Sequence, residues 1–407
     1  MVCYQGEYRL KTQLRILHLT SYVGKRSFGI GSAVLNLARG QQVLGHRVEI
    51  WSCDVKEEAR YLEQENNLLP NTIRTFPIFG PSRLAYSPKL ERAIAQQADE
   101  YDLIHQHGIW TAISRSTNYW RVKTGKPTVI APHGSLDSWT LRRSMWKKRF
   151  AMLCYERENL HKASCLHALS SCEADGFRAF GLKNPIAILP NGISEEWLRQ
   201  RGDARAFRER FRLSDETRLM FFLGRITPKK GLPLLLRAMS ALRYDLKNWK
   251  LIIAGVNEFG HQNELESIAF KLSLESHVQF IGPLYGQSKR DAFAAVDLFV
   301  LPSYSEGAPV AILEALGAGV PILATCATPW REIVTNGCGW LTDISVAAIR
   351  QALHEAIHTP RDVLRDMGRR GKALIAKKYK INSIAEQLIL IYSWLLGRKE
   401  KPSCVFN

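Results

Sequence analysis

Two series of short apolar segments, each alternating with longer amphipathic stretches, constrain the fold of this 407-residue chain more than any other feature. Segments rich in β-branched and aromatic residues, separated by helical patterns, predict parallel strands covered by helices on both faces. The first series of strands is predicted at Arg15–Thr20, Arg47–Ser52, Leu103–His105, Thr128–Pro132, Ser164–Ala168 and Ile186–Leu189. The second is predicted at Arg218–Leu223, Lys250–Ala254, Val278–Ile281, Leu298–Leu301 and Pro321–Ala324.

The helical patterns between these segments complete two doubly wound, Rossmann-like domains. A turn signal at Leu189–Gly192, followed by the helix-prone Ser194–Phe211, predicts a domain of residues 1–193 and a second of residues 194–379. Two such domains in tandem create a cleft between the carboxyl ends of their strands, where ligands bind. Helices are predicted at Ala33–Leu44, Leu90–Glu100, Leu232–Leu242, Glu264–Leu272, Ser288–Ala294, Val310–Ala318 and Ile381–Leu396.

The net charge of +18 is spread evenly over both halves of the chain, which argues against a basic DNA-binding arm and a nucleic-acid partner. It leaves open a basic cleft for phosphates, a surface resting on anionic lipid, or dispersed solvated charge. No apolar run reaches the roughly 18–20 residues that span a bilayer. The polar start of the chain resembles no secretory segment, so we expect a cytoplasmic protein. No Cys-x-x-Cys occurs among the eight cysteines, which favours free thiols over a zinc site or a disulfide framework.

The strongest motif is Ser305–Glu314, which follows a buried strand and opens a helix. Backbone N–H groups at a helix N-terminus bind phosphate, and the carboxylates of Glu306 and Glu314 can accept hydrogen bonds from sugar hydroxyls. A structural role would make Glu306 a helix-terminal charge and Glu314 a solvated side chain. Glu314 lies in a very apolar helix, where an ionised carboxylate is costly without a partner, so we favour a binding role.

Two further motifs follow predicted strands. Gly224–Gly231 carries Arg225 and Lys230, an arginine fork and a mobile ammonium suited to a diphosphate, although a merely basic loop would have the same composition. His133 follows the strand Thr128–Pro132 and could donate to a reacting sugar in the cleft. His105 and His107 carry a weaker signal of the same kind, with His107 as an acceptor contact.

A glycine-containing segment, Ser27–Ser32, resembles a dinucleotide fingerprint, but Val34 replaces its last glycine. We therefore interpret it as a flexible loop whose Gly29 backbone lies near a phosphate or an acceptor. A nicotinamide-binding oxidoreductase, argued from Gly29, Gly31 and Asp54, remains an alternative. No Asp-x-Asp pair, zinc-ligand spacing, Gly-x-Ser-x-Gly elbow or Walker loop occurs in the sequence.

Taken together, the Gly-Arg-x4-Lys-Gly loop, the Glu-x7-Glu helix start and the strand Pro321–Thr325 resemble the family 4 retaining glycosyltransferases of GT-B fold, over nearly the whole chain. Weaker pieces in family order are Asn36–Ala38, Gly45–Val48, Pro132–Gly134, Leu189–Gly192 and Phe280–Gly282. The resemblance implies a metal-independent, retaining hexosyltransferase without a cofactor. Its two domains would face across a cleft, the first on the acceptor side and the second binding a nucleotide sugar. Residues 380–407 would cross back as a helix onto the first domain.

Residue by residue, the resemblance implies that Arg225 and Lys230 bind the donor diphosphate and stabilise the leaving nucleotide. Glu314 would hold ribose hydroxyls and Glu306 the hydroxyls of the transferred sugar. His133 would lie beside that sugar, so the residues expected to carry catalysis are His133, Arg225, Lys230 and Glu306. The backbone of Gly307, Ala308, Pro309 and Val310 would meet the phosphate, and Gly282 the base.

Two departures from the family pattern bear on this assignment. Ala308 and Pro309 stand where the family has Phe-Gly, and proline lacks an N–H, so one phosphate donor is missing or is supplied by Val310. Lys229 stands where the family often has glutamate, which makes the loop more basic.

The expected partners are a nucleotide sugar and a carbohydrate or lipid-linked acceptor, in cell-surface polysaccharide or glycolipid synthesis, with the oligomeric state open. A GT-B epimerase or hydrolase and a non-catalytic anionic-surface binder remain alternatives. The basic, aromatic stretch Trp139–Arg149 suits a helix on an anionic membrane surface, which would make the protein peripheral on the inner face. The competing interpretation is an ordinary helix whose Trp139, Trp146 and Met145 pack inward.

Overall fold

A computed structural model describes residues 13–24, 26–27, 29–54, 56–137, 140–141 and 145–407. Strands form where the apolar segments lie: β1 (Arg15–Thr20), β2 (Arg47–Ser52), β3 (Ile73–Thr75), β4 (Leu103–His107), β5 (Thr128–Ala131), β6 (Cys165–Ala168), β7 (Ile186–Ile188), β8 (Arg218–Leu223), β9 (Trp249–Ala254), β10 (Val278–Gly282), β11 (Leu298–Leu301), β12 (Ile322–Thr325), β13 (Gly339–Thr342) and β14 (Val405–Phe406). Most of their side chains are buried, since helices cover both faces of each sheet.

The amphipathic stretches form α1 (Gly29–Val43), α2 (Lys56–Glu65), α3 (Pro88–Gln96), α4 (Ile113–Thr124), α5 (Met145–Ala151), α6 (Arg157–His161), α7 (Ser171–Ala179), α8 (Glu195–Arg199), α9 (Ala204–Phe211), α10 (Leu232–Ser240), α11 (His261–Lys271), α12 (Gly286–Ala295), α13 (Val310–Ala318), α14 (Glu332–Thr335), α15 (Val346–His358), α16 (Arg361–Lys378) and α17 (Ile381–Leu395). A π-helical turn, Met152–Glu156, joins α5 to α6. Among the helices described, none combines the length and apolarity that a membrane crossing requires.

The strands form two separate sheets. One has eight strands in the order β14-β7-β6-β5-β4-β1-β2-β3, and the other has six in the order β10-β9-β8-β11-β12-β13. Neighbouring strands are parallel except at the edge, where β14 pairs antiparallel with β7. In both sheets the first strand of the series lies inside, flanked on each side by later strands, so the crevice at the carboxyl ends opens there. The prediction of two doubly wound, Rossmann-like domains is confirmed.

Strand limits predicted from the sequence are correct to within two residues, but β3, β13 and β14 were not predicted. β3 is only three residues long, and β14 only two, so neither carries a periodic signal. The stretch Ser194–Phe211 forms two short helices, α8 and α9, because Gln200–Asp203 interrupts the helical backbone.

The chain passes twice between the two sheets, at Ile193 and at Ile381, and the two crossings are bonded to each other. The Ile193 N–H donates to the Tyr379 carbonyl at 2.8 Å, and the Ile381 N–H donates to the Ile193 carbonyl at 2.9 Å. A Cβ at Gly192 would lie 2.7 Å from the Ile381 Cα, so only glycine permits this approach. The domains are therefore joined by one narrow, paired strip of backbone.

After the second crossing, α17 packs against α1 of the first domain. The apolar face of α17 is buried there, including Ile384, Leu388 and Ile391. A Cβ at Gly40 in α1 would lie 3.0 Å from the Ala385 Cβ, so the two helices approach closely at this point. Although it is last in sequence, α17 belongs to the first domain's core.

Candidate active site between the two domains

The loops that follow β8 and β11 bring Lys230 and Glu306 together. Gly231 ends the turn Pro228–Lys230 with φ of +66°, and a Cβ there would lie 2.0 Å from the Pro302 carbonyl oxygen, so glycine lets one loop rest on the other. Lys230 Nζ donates to Glu306 Oε1 at 2.5 Å, and the Ser303 hydroxyl donates to the same oxygen at 2.6 Å. Their side chains are only 15% and 10% exposed, which makes the ion pair a preformed feature of the site.

Glu314 is buried in α13 as the apolar sequence predicted, and its partner is Lys289 of α12. Lys289 Nζ donates to Glu314 Oε1 at 2.5 Å, and the ammonium also lies 5.1 Å from the centre of the Trp197 ring. The Trp197 indole N–H donates to the Glu314 carbonyl at 2.9 Å. The sequence indicated that a partner was needed, but a lysine 25 residues away gave no signal of its own.

Arg225 pairs with Glu258, the residue four positions after the end of β9. Its guanidinium Nη1 lies 3.2 Å from Glu258 Oε1, and the arginine side chain is 42% exposed at the rim of the cleft. Glu258 follows β9, one strand further from the centre of the site, so the guanidinium points along the sheet edge.

His133 and Gly134 face Glu306 and Gly307 across the cleft. Both first-domain residues have positive φ, +53° and +72°, and a Cβ at Gly134 would lie 3.7 Å from the Gly307 Cα. The Gly134 N–H donates to Glu173 Oε1 at 2.6 Å, and the Leu169 N–H donates to the other oxygen at 2.8 Å. Burial raises the pKa of Glu173 above its ordinary value, although these N–H groups oppose that rise.

Two hydrogen-bonded contacts, missed in the sequence, hold the domains together beside this point. Lys229 Nζ lies 3.1 Å from Asp137 Oδ2, and Asn191 Nδ2 donates to the Ala308 carbonyl at 3.0 Å. Burial alone would raise the pKa of Asp137, but the Thr140 N–H and the Lys229 ammonium keep it below its ordinary value. Lys229, noted in the sequence only as a departure from a family pattern, is a residue that closes the cleft.

Two cavities lie between the domains. The first, of about 470 Å³, is lined by Glu306 and Gly307 on one side and by Gly134, Asp137 and Glu173 on the other. The second, of about 620 Å³, is lined by Glu314, Lys289 and Tyr285 on one side and by residues of α1 and α2 on the other. The two predicted carboxylates therefore lie in neighbouring cavities, which is the arrangement an elongated, two-part ligand requires.

Four residues singled out in the sequence, Gly29, Gly31, Asp54 and Gly282, are not among those that line the two cavities. Gly29 begins α1 and Gly31 lies within it, so the expected flexible glycine loop is the first turn of a helix. Asp54 accepts hydrogen bonds from the Val23 and Gly24 N–H groups, so its carboxylate holds the turn after β1 and gives no support to nicotinamide binding. Gly282 ends β10 with φ of +74° and contributes to neither cavity.

The start of α13 differs from an ordinary anion site. Pro309 is the N-cap residue, with extended backbone and no capping hydrogen bond from its side chain. Ala308 uses its carbonyl on Asn191, while Val310 is buried as the first helical residue. Gly307 and Ala308 remain part-exposed beside Glu306, which leaves their N–H groups nearest to the cavity.

His107 is a buried strand residue, 3% exposed, whose ring nitrogens bond to His18 and His133, which gives no support to the weaker suggestion of an acceptor contact. It lies within a cluster formed by His18, His105, His107, His133 and His167 at the centre of the first sheet. Nitrogen atoms of His18, His105 and His107 lie within 4.8 Å of one another, a spacing that a metal ion would accept. Those nitrogens already bond within the cluster, which has no carboxylate to balance a cation, so the residues fit a metal poorly.

Burial governs the charge of the cluster. Desolvation lowers the pKa of His133 to about 3 and those of His18 and His167 to about 4, while His105 and His107 are held well below the ordinary histidine value. The five rings are therefore neutral at pH 7.

Two family models match the chain: one described as Glycosyl transferase 4-like domain over residues 28–192, the other as Glycosyl transferases group 1 over residues 203–374. The GDP-mannose:cellobiosyl-diphosphopolyprenol alpha-mannosyltransferase of Komagataeibacter xylinus is 25% identical over 399 residues, 95% of this chain and 94% of that protein. The D-inositol 3-phosphate glycosyltransferase of Stackebrandtia nassauensis is 26% identical over 335 residues, 76% and 74% of the two chains. The crystal structure of Anabaena HepE with UDP-glucose superposes with a TM-score of 0.77 at 20% identity, covering 94% of this chain and all of that one.

The histidine cluster predicts that acid destabilises the fold. Unfolded histidines titrate near pH 6.5, whereas His18, His133 and His167 do so at about 4, 3 and 4 in the fold. Between about pH 4 and pH 6.5 the unfolded chain therefore binds more protons than the folded chain. As the pH decreases through this range, the free energy of unfolding decreases by about 1.4 kcal/mol per pH unit for each net proton taken up. Glu156 and Glu173, whose pKa values burial raises, oppose this by a smaller number of protons. Denaturant unfolding at pH 7, 6 and 5 should give a net uptake above one proton; an unchanged free energy would contradict it.

Proposed function

The chain belongs to the glycosyl transferases group 1 family and is a glycosyltransferase of GT-B fold, as its motifs indicated, and we propose the finer details of its reaction as follows. It moves a hexose from a nucleoside-diphosphate sugar to a hydroxyl of a carbohydrate or lipid-linked acceptor, in the synthesis of a cell-surface polysaccharide or glycolipid. The anomeric configuration is retained, and neither a metal nor a cofactor takes part.

The observation that carries this proposal is the Lys230–Glu306 pair, whose carboxylate residue lines the first cavity and is followed by Gly307, which faces the His133–Gly134 backbone. Lys230 offers a buried cation for a diphosphate, and Arg225 adds a second once it leaves Glu258. Glu306 lies at the first cavity, where its carboxylate can accept from hydroxyls of the transferred sugar. Glu314, in the second cavity, would accept from ribose hydroxyls. The sugar then lies between Glu306 and His133, and the nucleotide extends along α13.

The proposed reaction needs no side chain as a general base, because the departing phosphate takes the proton of the acceptor. The bond between the anomeric carbon and the diphosphate oxygen breaks, and its electron pair stays on the phosphate, next to Lys230 and Arg225. The acceptor oxygen bonds to the same face of the anomeric carbon, and its proton passes to the departing phosphate oxygen. Preorganised cations lower the barrier because they stabilise charge that develops only as the bond breaks.

Replacing Lys230→Met should lower kcat/KM by about 100- to 1000-fold, since removing one preorganised stabiliser typically costs about 2.7–4 kcal/mol of barrier. Arg225→Ala should lower it in the same direction. The matched control is Lys250→Met, a half-buried lysine of β9 whose Nζ donates to Gln279 outside the cleft. Initial rates are measured with a donor and acceptor verified on the unmodified protein.

Circular dichroism confirms that each variant is folded. Unchanged rates in both Lys230→Met and Arg225→Ala would refute the diphosphate assignment, and an equal loss in Lys250→Met would point to a general effect of the substitution.

Activity should survive an excess of EDTA, because Lys230 and Arg225 take the place of the cation that an Asp-x-Asp clamp would bind. Rates are compared before and after chelation and again after adding manganese or magnesium. Complete loss on chelation, with recovery on adding either metal, would overturn the metal-independent mechanism.

The acceptor is proposed to be presented at an anionic membrane surface that contacts α5. The exposed face of α5 and the following turn is apolar: Trp146 is 71%, Phe150 66% and Leu153 83% exposed. Lys147 and Arg149 lie on the same helix. The alternative in which Trp146 and Met145 pack inward is therefore wrong, while Trp139, Arg142 and Arg143 lie outside the described residues. Outward apolar side chains with neighbouring cations favour an anionic lipid bilayer over another protein.

This face is connected to the reacting centre by a short segment. His133 and Gly134 lie at the cleft, Asp137 bonds to Lys229 across it, and Thr140 contacts Lys148 of α5. A sugar acceptor held in the membrane beneath α5 would therefore enter on the first domain's side of the cleft. The Komagataeibacter relative is named for a diphosphopolyprenol-linked acceptor, which supports a lipid-linked acceptor here.

Trp146→Gln combined with Phe150→Gln should reduce binding to phosphatidylglycerol vesicles at least tenfold, because each side chain loses about 1.5–3 kcal/mol of apolar burial. Binding is measured by co-sedimentation at low salt, with phosphatidylcholine vesicles as the uncharged comparison. The control is Phe270→Gln in α11, since Phe270 is equally exposed at 70% but lies on the second domain.

Phe270→Gln is expected to bind like the unmodified protein. Equal binding by the double variant, or failure of the unmodified protein to bind anionic vesicles, would exclude α5 as a membrane contact.

A further inference from the structure

We propose that Gln41 and Tyr392 are positioning residues that fix the tautomer of His133, so that His133 presents an unprotonated Nδ1 and accepts a hydrogen bond from a hydroxyl of the bound sugar. The tautomer follows from a buried hydrogen-bonded chain that begins at His133 and ends at the carbonyl of Leu189. Only the identity of the ligand as a sugar rests on the proposed function.

The chain has two arms that meet at Gln41. In the arm toward the cleft, His133 Nε2 lies 3.0 Å from His107 Nδ1, and His107 Nε2 lies 2.8 Å from His18 Nδ1. His18 Nε2 then lies 2.8 Å from the Gln41 side-chain carbonyl oxygen. Each ring uses one nitrogen toward each neighbour, so a proton on one side of a ring determines what the other side can do.

The second arm starts at the amide nitrogen of Gln41, which donates to the Tyr392 hydroxyl at 3.3 Å. That hydroxyl lies 2.6 Å from His105 Nδ1, and His105 Nε2 lies 3.3 Å from His167 Nδ1. His167 Nε2 lies 2.9 Å from the Leu189 carbonyl oxygen. Tyr392 belongs to α17, so this arm includes the helix that returns from the second domain.

The Leu189 carbonyl sets the direction of the whole chain, because a carbonyl oxygen can only accept. His167 must carry its proton on Nε2, which leaves Nδ1 to accept from His105 Nε2–H. Nδ1 of His105 then accepts from the Tyr392 hydroxyl, which in turn accepts from Gln41. A neutral ring has one N–H, and burial keeps these rings neutral, so each link determines the next.

Gln41 transmits this direction to the cleft arm. With its amide nitrogen on Tyr392, its carbonyl oxygen must accept from His18 Nε2–H. His18 Nδ1 accepts from His107 Nε2–H, and His107 Nδ1 accepts from His133 Nε2–H. The opposite orientation of Gln41 would need a doubly protonated His167, a buried cation without a counter-charge.

His133 therefore ends the chain with its proton committed to His107. The remaining nitrogen, Nδ1, can accept but cannot donate at neutral pH. A hydroxyl group can satisfy it, whereas a phosphate oxygen or a carbonyl oxygen cannot. This polarity selects a donating sugar hydroxyl opposite Glu306, which itself accepts.

The test is the position of the proton in the full-length protein, read from nitrogen resonances of ¹⁵N-histidine-labelled samples without ligand at pH 7. We expect His133, His107 and His18 each to show a protonated Nε2 and an unprotonated Nδ1, with His133 identified by the signal lost in His133→Asn. A proton on His133 Nδ1, or on both of its nitrogens, would overturn the proposal.

Gln41→Met removes both bonds at the junction and should let the two directions coexist, shifting the His133 Nδ1 resonance toward that of a protonated nitrogen. Gln106→Met is the matched control, since Gln106 is a buried glutamine of β4 that bonds to Gly108 and Ser114 outside the chain. Tyr392→Phe, with Tyr101→Phe as its control, tests the same step through the second arm. If both test variants fold and leave the His133 resonances unchanged, Gln41 and Tyr392 do not position it.

A nucleotide sugar added to the unmodified protein separates this inference from the proposed function. With UDP-glucose and GDP-mannose as probes, a shift of the Nδ1 resonance toward its hydrogen-bonded value supports the sugar contact. If the ligand-free tautomer is as expected but binding of either probe leaves Nδ1 unmoved, the sugar contact is refuted while the buried chain stands.

Discussion

The paired backbone strip at Ile193 and Ile381 is the constraint on which the site depends. The groups of the candidate site are divided between two domains, and the chain passes between these domains at two crossings that hydrogen-bond to each other. Because α17 is built into the core of the first domain, the second crossing cannot slide when the cleft changes width. Gly192 allows the crossings to approach closely, so the strip is narrow. Such a connection lets the domains turn about one line while the order of residues at the cleft is kept.

Buried charge is the second organising feature, and three acids at the cleft each pair with a lysine. Glu306 pairs with Lys230, Glu314 with Lys289 and Asp137 with Lys229. Buried ion pairs contribute little net stability because desolvation offsets their attraction, but losing one partner leaves a costly isolated charge. A lysine that turns to bind the phosphates of an anionic donor leaves its carboxylate without a partner. The donor must therefore supply hydroxyl groups to that carboxylate, and a nucleotide sugar has them.

Much of the fold could be predicted from the sequence, because its strands are continuous apolar segments that alternate with amphipathic helices. This alternation is visible in the sequence without any knowledge of tertiary contacts. The meeting of Lys230 with Glu306 could also be expected, since loops that follow neighbouring buried strands meet at one edge of a sheet. Contacts between distant segments could not be predicted. Lys289 and Asp137 carry no local pattern, and the positions of Arg225 and His107 depend on Glu258 and on four other histidines. The edge strand β14 exists only through its pairing with β7.

The close approach of Gly134 and Gly307 has a mechanical consequence. The backbones of the two domains come into van der Waals range where neither residue has a side chain, next in sequence to Glu306 and His133. These two backbones therefore limit how far the domains can close before they collide. A methyl group at Gly307 would just touch the Gly134 backbone, 3.6 Å away, so it would fit at the present separation and leave no room for the domains to approach further. The limit on closure is thus set by two backbones, separately from the side chains that would bind the ligand.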